Sequence, residues 1–378
     1  MKMKMKKVCI LAPIHIWDDV RVFKKQAVSL ASHGYEVSLI ARMPDNIDGS
    51  THNGVQLIKS KLSDKGKLGR IAFFYQVLKQ AIDCKADIYH LHNPNTIPIA
   101  IFLSFFSKIV IYDTHEDYSQ RLLFREWIPS IFRKSACKIV SSLERLTANL
   151  SSAAIATQID VVERLGVNGH LIGNSPRYNN DLVNTVETIK INLGLQSKEF
   201  RLVYLGSINE SRGIEDIIIS LVRSNRESTV RFWLIGDINK DYLEKLKSLP
   251  GWQYVDYLGK LEQDIAFSYV SSSDVGLIYI HDIGDHAKTD PNKLYEYMSF
   301  GIPFIASDFS LWKDKLQYIN AGVFVKPQDP LLLSKEVVKL IENKRMLKLM
   351  GERGVAYVKS NNWEKEFSKL EKIYRDVI

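Results

Sequence analysis

The chain has 378 residues, 46% of them hydrophobic and 25% charged, with a net charge of +8 and a pI of about 9.1. That length sets two domains as the starting expectation, and the ordinary globular composition excludes a disordered or fibrous chain. Cys9, Cys84 and Cys137 lie far apart with no CxxC spacing, which excludes a disulfide framework or zinc ribbon and fits a reduced, cytoplasmic setting. The basic balance suits phosphate or acidic lipid. No nucleic-acid motif occurs, so nucleic acid is not an expected partner.

A lysine-rich start precedes the apolar residues 8–12, but Asp18, Asp19 and Arg21 follow closely. This favours a first buried strand over a signal peptide. Val20, Phe23, Ala27 and Leu30 recur at helical spacing, and Gly34 stands where a helix-ending glycine belongs. Residues 35–41 read as the next strand. Ile71, Phe74, Leu78 and Ile82 mark a helix, and 88–91, 109–112 and 153–156 continue the strand series. The longest apolar stretch, 97–112, is interrupted by Ser104, Ser107 and Lys108. It is too short and broken to span a bilayer, so the chain is not expected to be integral to a membrane.

Residues 179–192 are polar and read as a linker. Six strands are expected beyond it, at 201–205, 230–235, 255–258, 275–280, 303–306 and 323–325, followed by a terminal helix over 363–378. Alternation of this kind implies parallel sheets covered on both faces, hence an α/β chain of two doubly wound, Rossmann-like domains. Their expected limits are 1–180 and 193–362, with the helix 363–378 packing back on the first. Ligands sit beyond the carboxyl ends of strands in such sheets, and two facing sheets would make one central cleft.

Three segments carry candidate chemistry. The first is Thr289-Asp290-Pro291-Asn292-Lys293-Leu294-Tyr295-Glu296-Tyr297, closed by Gly301-Ile302-Pro303. Asp290 suits a helix N-cap and Pro291 the first helical position. Such an N-terminus binds anions when it faces a cleft, and a bound anion explains Lys293 in a first turn that the helix dipole disfavours. Glu296 lies one turn further on, suited to a ribose diol. A capped surface helix with solvated Lys and Glu fits the same spacing. The second is Tyr204-Leu205-Gly206-Ser207-Ile208 with Arg212-Gly213-Ile214: strand, glycine turn, helix. Gly206 admits close backbone approach and Arg212 suits phosphate. The absence of GxGxxG argues against a dinucleotide dehydrogenase. The third is Tyr112-Asp113-Thr114-His115-Glu116-Asp117, directly after a strand. His115 there suits sugar or proton handling, or is a structural histidine. His90 and His92 share one strand face at a spacing that also suits metal, but no further ligand pattern follows.

Together these segments resemble the family-4 retaining glycosyltransferases of the GT-B fold, the glycosyl transferases group 1. Asp19, Arg21 and Gly34-Tyr35-Glu36-Val37 resemble the first helix and second strand, Gly206 and Arg212-Gly213 the diphosphate loop, and Gly259 with 274–277 the base-side region. Asn292-Lys293-Leu294-Tyr295-Glu296 is the most specific match. The resemblance implies that Gly206, Arg212, Asn292, Lys293, Leu294 and Glu296 bind the donor: Glu296 holds the ribose, and Arg212 and Lys293 neutralise the diphosphate. His115 would contact the donor sugar, and His115, Arg212 and Lys293 would serve catalysis. It also implies retention by front-face attack, with the leaving phosphate taking the acceptor proton. No cofactor or metal is expected, and no Asp-x-Asp occurs. Two positions depart from the family pattern: Lys288 stands where a first glutamate is usual, and Ser207 where an arginine often follows the loop glycine.

The expected function is therefore sugar transfer from a nucleotide sugar to a glycan or lipid-linked acceptor, in surface polysaccharide biosynthesis of bacterial type. A sugar-nucleotide epimerase of the same architecture and a non-catalytic nucleotide-sugar-binding subunit are the alternatives. Bulky apolar and basic residues mix over 121–134, with Lys138 and Arg145 beyond. This composition suits peripheral contact with an anionic membrane at its cytoplasmic face, or packing of Leu122, Phe124 and Ile131 in the core.

Overall fold

The computed structural model describes residues 5–60, 66–115, 117–124, 128–178, 180–195, 199–284, 286–288 and 292–378. By internal contacts the chain divides into two units, Met1–Asn174 with Trp363–Ile378, and Ser175–Asn362.

The first unit is built on β1 (Lys7–Ile16), β2 (Glu36–Arg42), β3 (Thr51–His52), β4 (Val55–Lys59), β5 (Ile88–His92), β6 (Ile109–Thr114), β7 (Ala153–Ala156) and β8 (Gly169–Leu171), in the sheet order β3-β4-β2-β1-β5-β6-β7-β8. All neighbours run parallel except β3 and β4. The strands carry Val, Ile, Leu and Ala because both faces are covered; every residue of β5 is buried. Two strands outrun their apolar signal. Hydrogen-bonded pairing carries β6 on to Asp113 and Thr114, against His92 and Ala156. The register of β1 and β2 likewise resumes at Ile16 after a shift. These polar strand ends are where side chains can face a ligand.

The helix after β1 begins at Asp19, whose carboxylate accepts from the Arg21 and Val22 amides. It is π-wound over Val20–Ala27 and α-helical over Val28–Ser32. Wider winding sets residues five apart one above another. Arg21 and Gln26 thereby share a face, and both point into the unit.

The second unit holds β9 (Phe200–Leu205), β10 (Val230–Ile235), β11 (Val255–Gly259), β12 (Val275–Ile278), β13 (Phe304–Ser307) and β14 (Gly322–Val325), all parallel, in the order β11-β10-β9-β12-β13-β14. Both sheets are the α/β, doubly wound arrangement expected. The segment read as a linker is instead helical over Asn180–Asn192 and packs on the helix Gln263–Ser271. A single buried apolar anchor, Val186, was too little to raise a periodic signal.

The terminal helix, Trp363–Asp376, lays Trp363, Phe367, Leu370, Ile373 and Tyr374 into the core of the first unit. Trp363 is 1% exposed, and its indole N–H donates to Ser29 Oγ at 2.9 Å. Trp363→Ala should cost about 3–5 kcal/mol, the usual range for a buried aromatic truncation. Urea unfolding measures it, and a loss under about 1 kcal/mol would mean the tail adds no core to this unit.

Candidate active site

The second unit gathers its polar groups at the carboxyl ends of β9, β10 and β12. The Gly206 N–H donates to Ile235 O at 2.9 Å, and the Gly236 N–H to Gly259 O at 2.9 Å. The two loops therefore run side by side, with Gly206 at φ +153° and Gly236 at φ +155°. A Cβ on Gly236 would collide with the Gly206 carbonyl oxygen. Glycine is required there because no side chain fits between the backbones. The Tyr204 hydroxyl donates to Ser207 O at 2.9 Å and props the turn. Burial pushes that hydroxyl's pKa up to about 12, with Arg212 pulling the other way, so it stays protonated and donates.

Lys293 lies over this turn. A Cβ placed on Gly206 would stand 2.5 Å from Lys293 Cε and 3.1 Å from Nζ. The helix carrying it, Asn292–Ser299, is fixed beneath by Leu294 and Tyr297, both fully buried. The Tyr297 hydroxyl donates to Leu277 O at 3.3 Å and accepts from the Leu205 N–H at 3.4 Å, tying the helix to β12 and β9. Asn292 is exposed and Glu296, one turn beyond Lys293, is half-buried. Asp290 and Pro291, the expected cap, lie outside the described residues, as does the side chain of Lys288.

Arg212 ends a short turn, Glu210–Arg212, capped by the Asn209 side chain. Its Nε is buried without a hydrogen-bond partner. The next backbone contact is His281 N–H to Ser211 O at 2.9 Å, and His281 Nε2 lies 2.7 Å from Asp216 Oδ2. Gly236, His281 and Asp216 were not singled out from sequence. The Ile235-Gly236 strand end was the available signal for the first; the His281–Asp216 contact crosses 65 positions and left none.

The first unit contributes His115, just past β6. Its neighbours on that strand face are buried and polar. Asp113 is fully buried and accepts from Arg21 Nη2 at 3.1 Å and Gln26 Nε2 at 2.7 Å. Arg21 also reaches the carbonyls of Ile172 and Gly173, at 3.4 to 3.5 Å. His90 Nε2 stands 3.5 Å and His92 Nδ1 3.9 Å from the Asp113 carboxylate. Burial alone would raise the Asp113 pKa, but Arg21, His90 and His92 hold it well below the usual carboxylate range. His90 Nδ1 meets the Tyr374 hydroxyl at 2.7 Å. Burial drives His92 well below the ordinary imidazole value, and burial followed by Arg21 pushes His115 down to about 4, so both rings are neutral.

His90, His92 and Asp113 bring one ligand atom each within 4.8 Å of one another. The donor set does not suit a divalent ion. Its one carboxylate already receives a guanidinium and an amide, and a cation placed there would face Arg21 at contact distance in a low-dielectric interior.

Residues 199–343 match the family model described as glycosyl transferases group 1. The second unit is a group 1 glycosyltransferase domain. An uncharacterized glycosyltransferase of Methanocaldococcus jannaschii is 26% identical over 185 residues, 48% of this chain and 46% of that protein, so the match spans about half of that relative's length. The whole chain has the GT-B fold. Sucrose-phosphate synthase of Thermosynechococcus elongatus superposes with a TM-score of 0.74 at 16% identity, over 98% of this chain and 99% of that one. Anabaena HepE, solved with UDP, superposes with a TM-score of 0.70 at 13% identity, over 98% and 100%. At such identities the likeness speaks for the fold.

Within the glycosyltransferase domain Gly206, Lys293, Leu294 and Glu296 gather on or beneath one loop-and-helix site, with Arg212 on the same loop and Asn292 at the helix start. His115 belongs to the other unit. Gly236→Ala should displace the Gly206 carbonyl and lower affinity for a nucleoside diphosphate at least about tenfold, near 1.4 kcal/mol. Gly34→Ala in the first unit, which carries similar positive-φ strain at +85° with nothing within 4 Å of its Cβ, should lose far less. Calorimetry compares them, and equal losses would detach the glycine contact from the site.

Proposed function

We propose that the chain transfers a sugar from a nucleoside-diphosphate sugar to an acceptor, with the diphosphate held at the ends of β9 and β10. The observation that carries this reading is the Lys293 ammonium poised over the Gly206 backbone, where side-chain-free peptide and a cation meet. HepE was solved with UDP and with UDP-glucose, which supports a nucleotide sugar as the donor. Arg212 and Lys293 would stabilise the charge that grows on the leaving diphosphate, the contribution that fixed cations make best. Glu296 would take the ribose hydroxyls, and His115, neutral, would serve the sugar by hydrogen bonding. Retention follows the front-face course that the resemblance implies, with the leaving phosphate accepting the acceptor's proton. With two basic side chains for the diphosphate, the reaction needs no divalent ion.

Acceptor-dependent release of nucleotide, assayed in chelator, separates transfer from epimerisation and from binding alone. Glu296→Ala should weaken both the nucleotide sugar and the free nucleoside diphosphate by about 1.5–3 kcal/mol, the worth of hydrogen bonds to a charged group. Unchanged affinity in the folded variant would remove Glu296 from the site.

We further propose a lipid-linked acceptor met at an anionic membrane surface, in the building of a surface polysaccharide. The helix Ser130–Leu150 supports this. Phe132, Ile139, Leu143, Leu146 and Leu150 are exposed and fall seven, four, three and four residues apart, one helical stripe. Exposed Lys134, Lys138 and Arg145 lie on the same helix, on the side turned away from the stripe, and Phe105 and Phe106 are exposed at the end of the neighbouring helix Ile97–Phe105. Ile131, weighed for the core, is 79% exposed, whereas Ile128 is buried. Arg125 and Trp127 lie outside the described residues. Among the described residues no helix is long and apolar enough to cross a membrane. An exposed apolar stripe suits the headgroup boundary, and long basic side chains of the same helix reach back toward anionic headgroups, each adding about 1 kcal/mol near the surface. The protein should therefore sediment with anionic vesicles at low salt and release as salt rises. Reversing Lys134, Lys138 and Arg145 should abolish sedimentation, and binding that survives the reversal would place the contact elsewhere.

A further inference from the structure

The described residues of the first unit bury more polar chemistry than a sheet core needs. Arg21 is 4% exposed, and Gln26, His90, His92 and Asp113 are fully buried. Several of their atoms lack hydrogen-bond partners: Arg21 Nε, Gln26 Oε1, His90 Nε2 and both ring nitrogens of His92. Such groups are costly unless they act on something. They converge on one strand end. His115 follows directly after β6, two residues beyond Asp113. The His115 ring centroid is 5.4 Å from that of His15, 6.1 Å from His92 and 6.1 Å from Tyr118. Its Nδ1 is buried and unpartnered, while its backbone carbonyl accepts from Thr157 Oγ1 at 2.8 Å.

We propose that the buried Arg21–Asp113 pair is a positioning device for His115, setting the ring's orientation and its charge state at the end of β6. The orientation comes from packing. Asp113 is clamped by Arg21 and Gln26 from the π-wound helix, while on the other side His90, held through Nδ1 by the Tyr374 hydroxyl at 2.7 Å, sets its Nε2 3.5 Å from the carboxylate. His15 is fixed in turn, its Nδ1 3.4 Å from Asp19 and its Nε2 taking the Asn93 amide. The charge state comes from burial first and then from the charges around the ring. Arg21 is the leading charge acting with burial; Asp113 and Asp19 pull the other way, His15 adds to Arg21, and the Tyr118 ring meets it edge-on. Burial and Arg21 thus outweigh Asp113 and leave His115 an uncharged imidazole, which can both donate and accept toward sugar hydroxyls. This deepens the role given to His115 under the proposed function and rests on it for its consequence.

Full-length protein labelled with 13C-histidine tests the device without any substrate, the His115 signal being assigned by its loss in His115→Gln. Arg21→Met leaves Asp113 as the dominant charge and should raise the His115 midpoint by about one pH unit or more, the usual reach of a close charge. Asp113→Asn leaves Arg21 alone and should hold the midpoint at or below its original value. Arg21→Lys keeps the charge and should restore it. The double variant, Arg21→Met with Asp113→Asn, removes both charges together, stays foldable where a single does not, and should titrate between the two singles. In the assay the acidic limb of kcat/KM should move up with Arg21→Met. A midpoint that ignores Arg21→Met, or that rises in Asp113→Asn, overturns the inference. An inactive original chain would strike the proposed function, while the titration would still decide the device.

Discussion

A carboxylate sealed in a sheet is expensive unless its charge is answered by partners of good geometry. Asp113 is that carboxylate, and the architecture of the first unit follows from answering it. Arg21 and Gln26 must arrive together, five residues apart, and the π-wound turns over Val20–Ala27 bring them onto one face. The Lys24 N–H reaching back to Asp19 O at 3.1 Å marks that wider winding. Arg21 Nη1 also donates to the carbonyls after β8, so the far edge of the sheet is tied to its first helix. His90 carries the network to Tyr374 and so to the terminal helix. Elements from the two ends of the chain meet at one charge.

The second unit obeys a different constraint. Its strand-end loops approach so closely that backbone touches backbone, at Gly206 and Gly236. Backbone without side chains leaves room for a close approach at this turn, and the Lys293 ammonium beside it supplies a positive charge. Leu294 and Tyr297 carry the burial that holds the helix, leaving Asn292, Lys293 and Glu296 on its outer side. The two units thus concentrate different groups at their strand ends: close backbone and a lysine in one, a buried ion pair among histidines in the other.

Much of this was legible in the sequence. The apolar runs of β7 and β10 matched their strands residue for residue, because fully buried parallel strands announce themselves by composition. The Asn292-Lys293-Leu294-Tyr295-Glu296 segment was readable since helix-start chemistry is local. What failed was non-local. The edge strands β3 and β8 are short, and neither keeps a buried residue, so pairing with neighbours defines them rather than pattern. The strand ends Asp113 and Thr114 break the apolar run, yet they pair with β5 and β7 as the rest of β6 does. Arg21 and Asp113 stand 92 positions apart, and nothing in either's surroundings points to the other. The helix Asn180–Asn192 hid behind polar composition for the same reason: its packing partner lies in the helix Gln263–Ser271.

The account's central claim is that the group 1 domain grips a nucleoside diphosphate through the bare backbone and cation at the ends of β9 and β10. Hydrogen exchange of the full chain, with and without saturating nucleoside diphosphate, tests it directly, because binding slows exchange at the amides it covers. The account predicts slowed exchange from Gly206 to Arg212, at Gly236 and in the first turn of Asn292–Ser299, with the Asp113 strand end unchanged. Slowing at the Asp113 strand end while the Gly206 loop exchanges as before would contradict it.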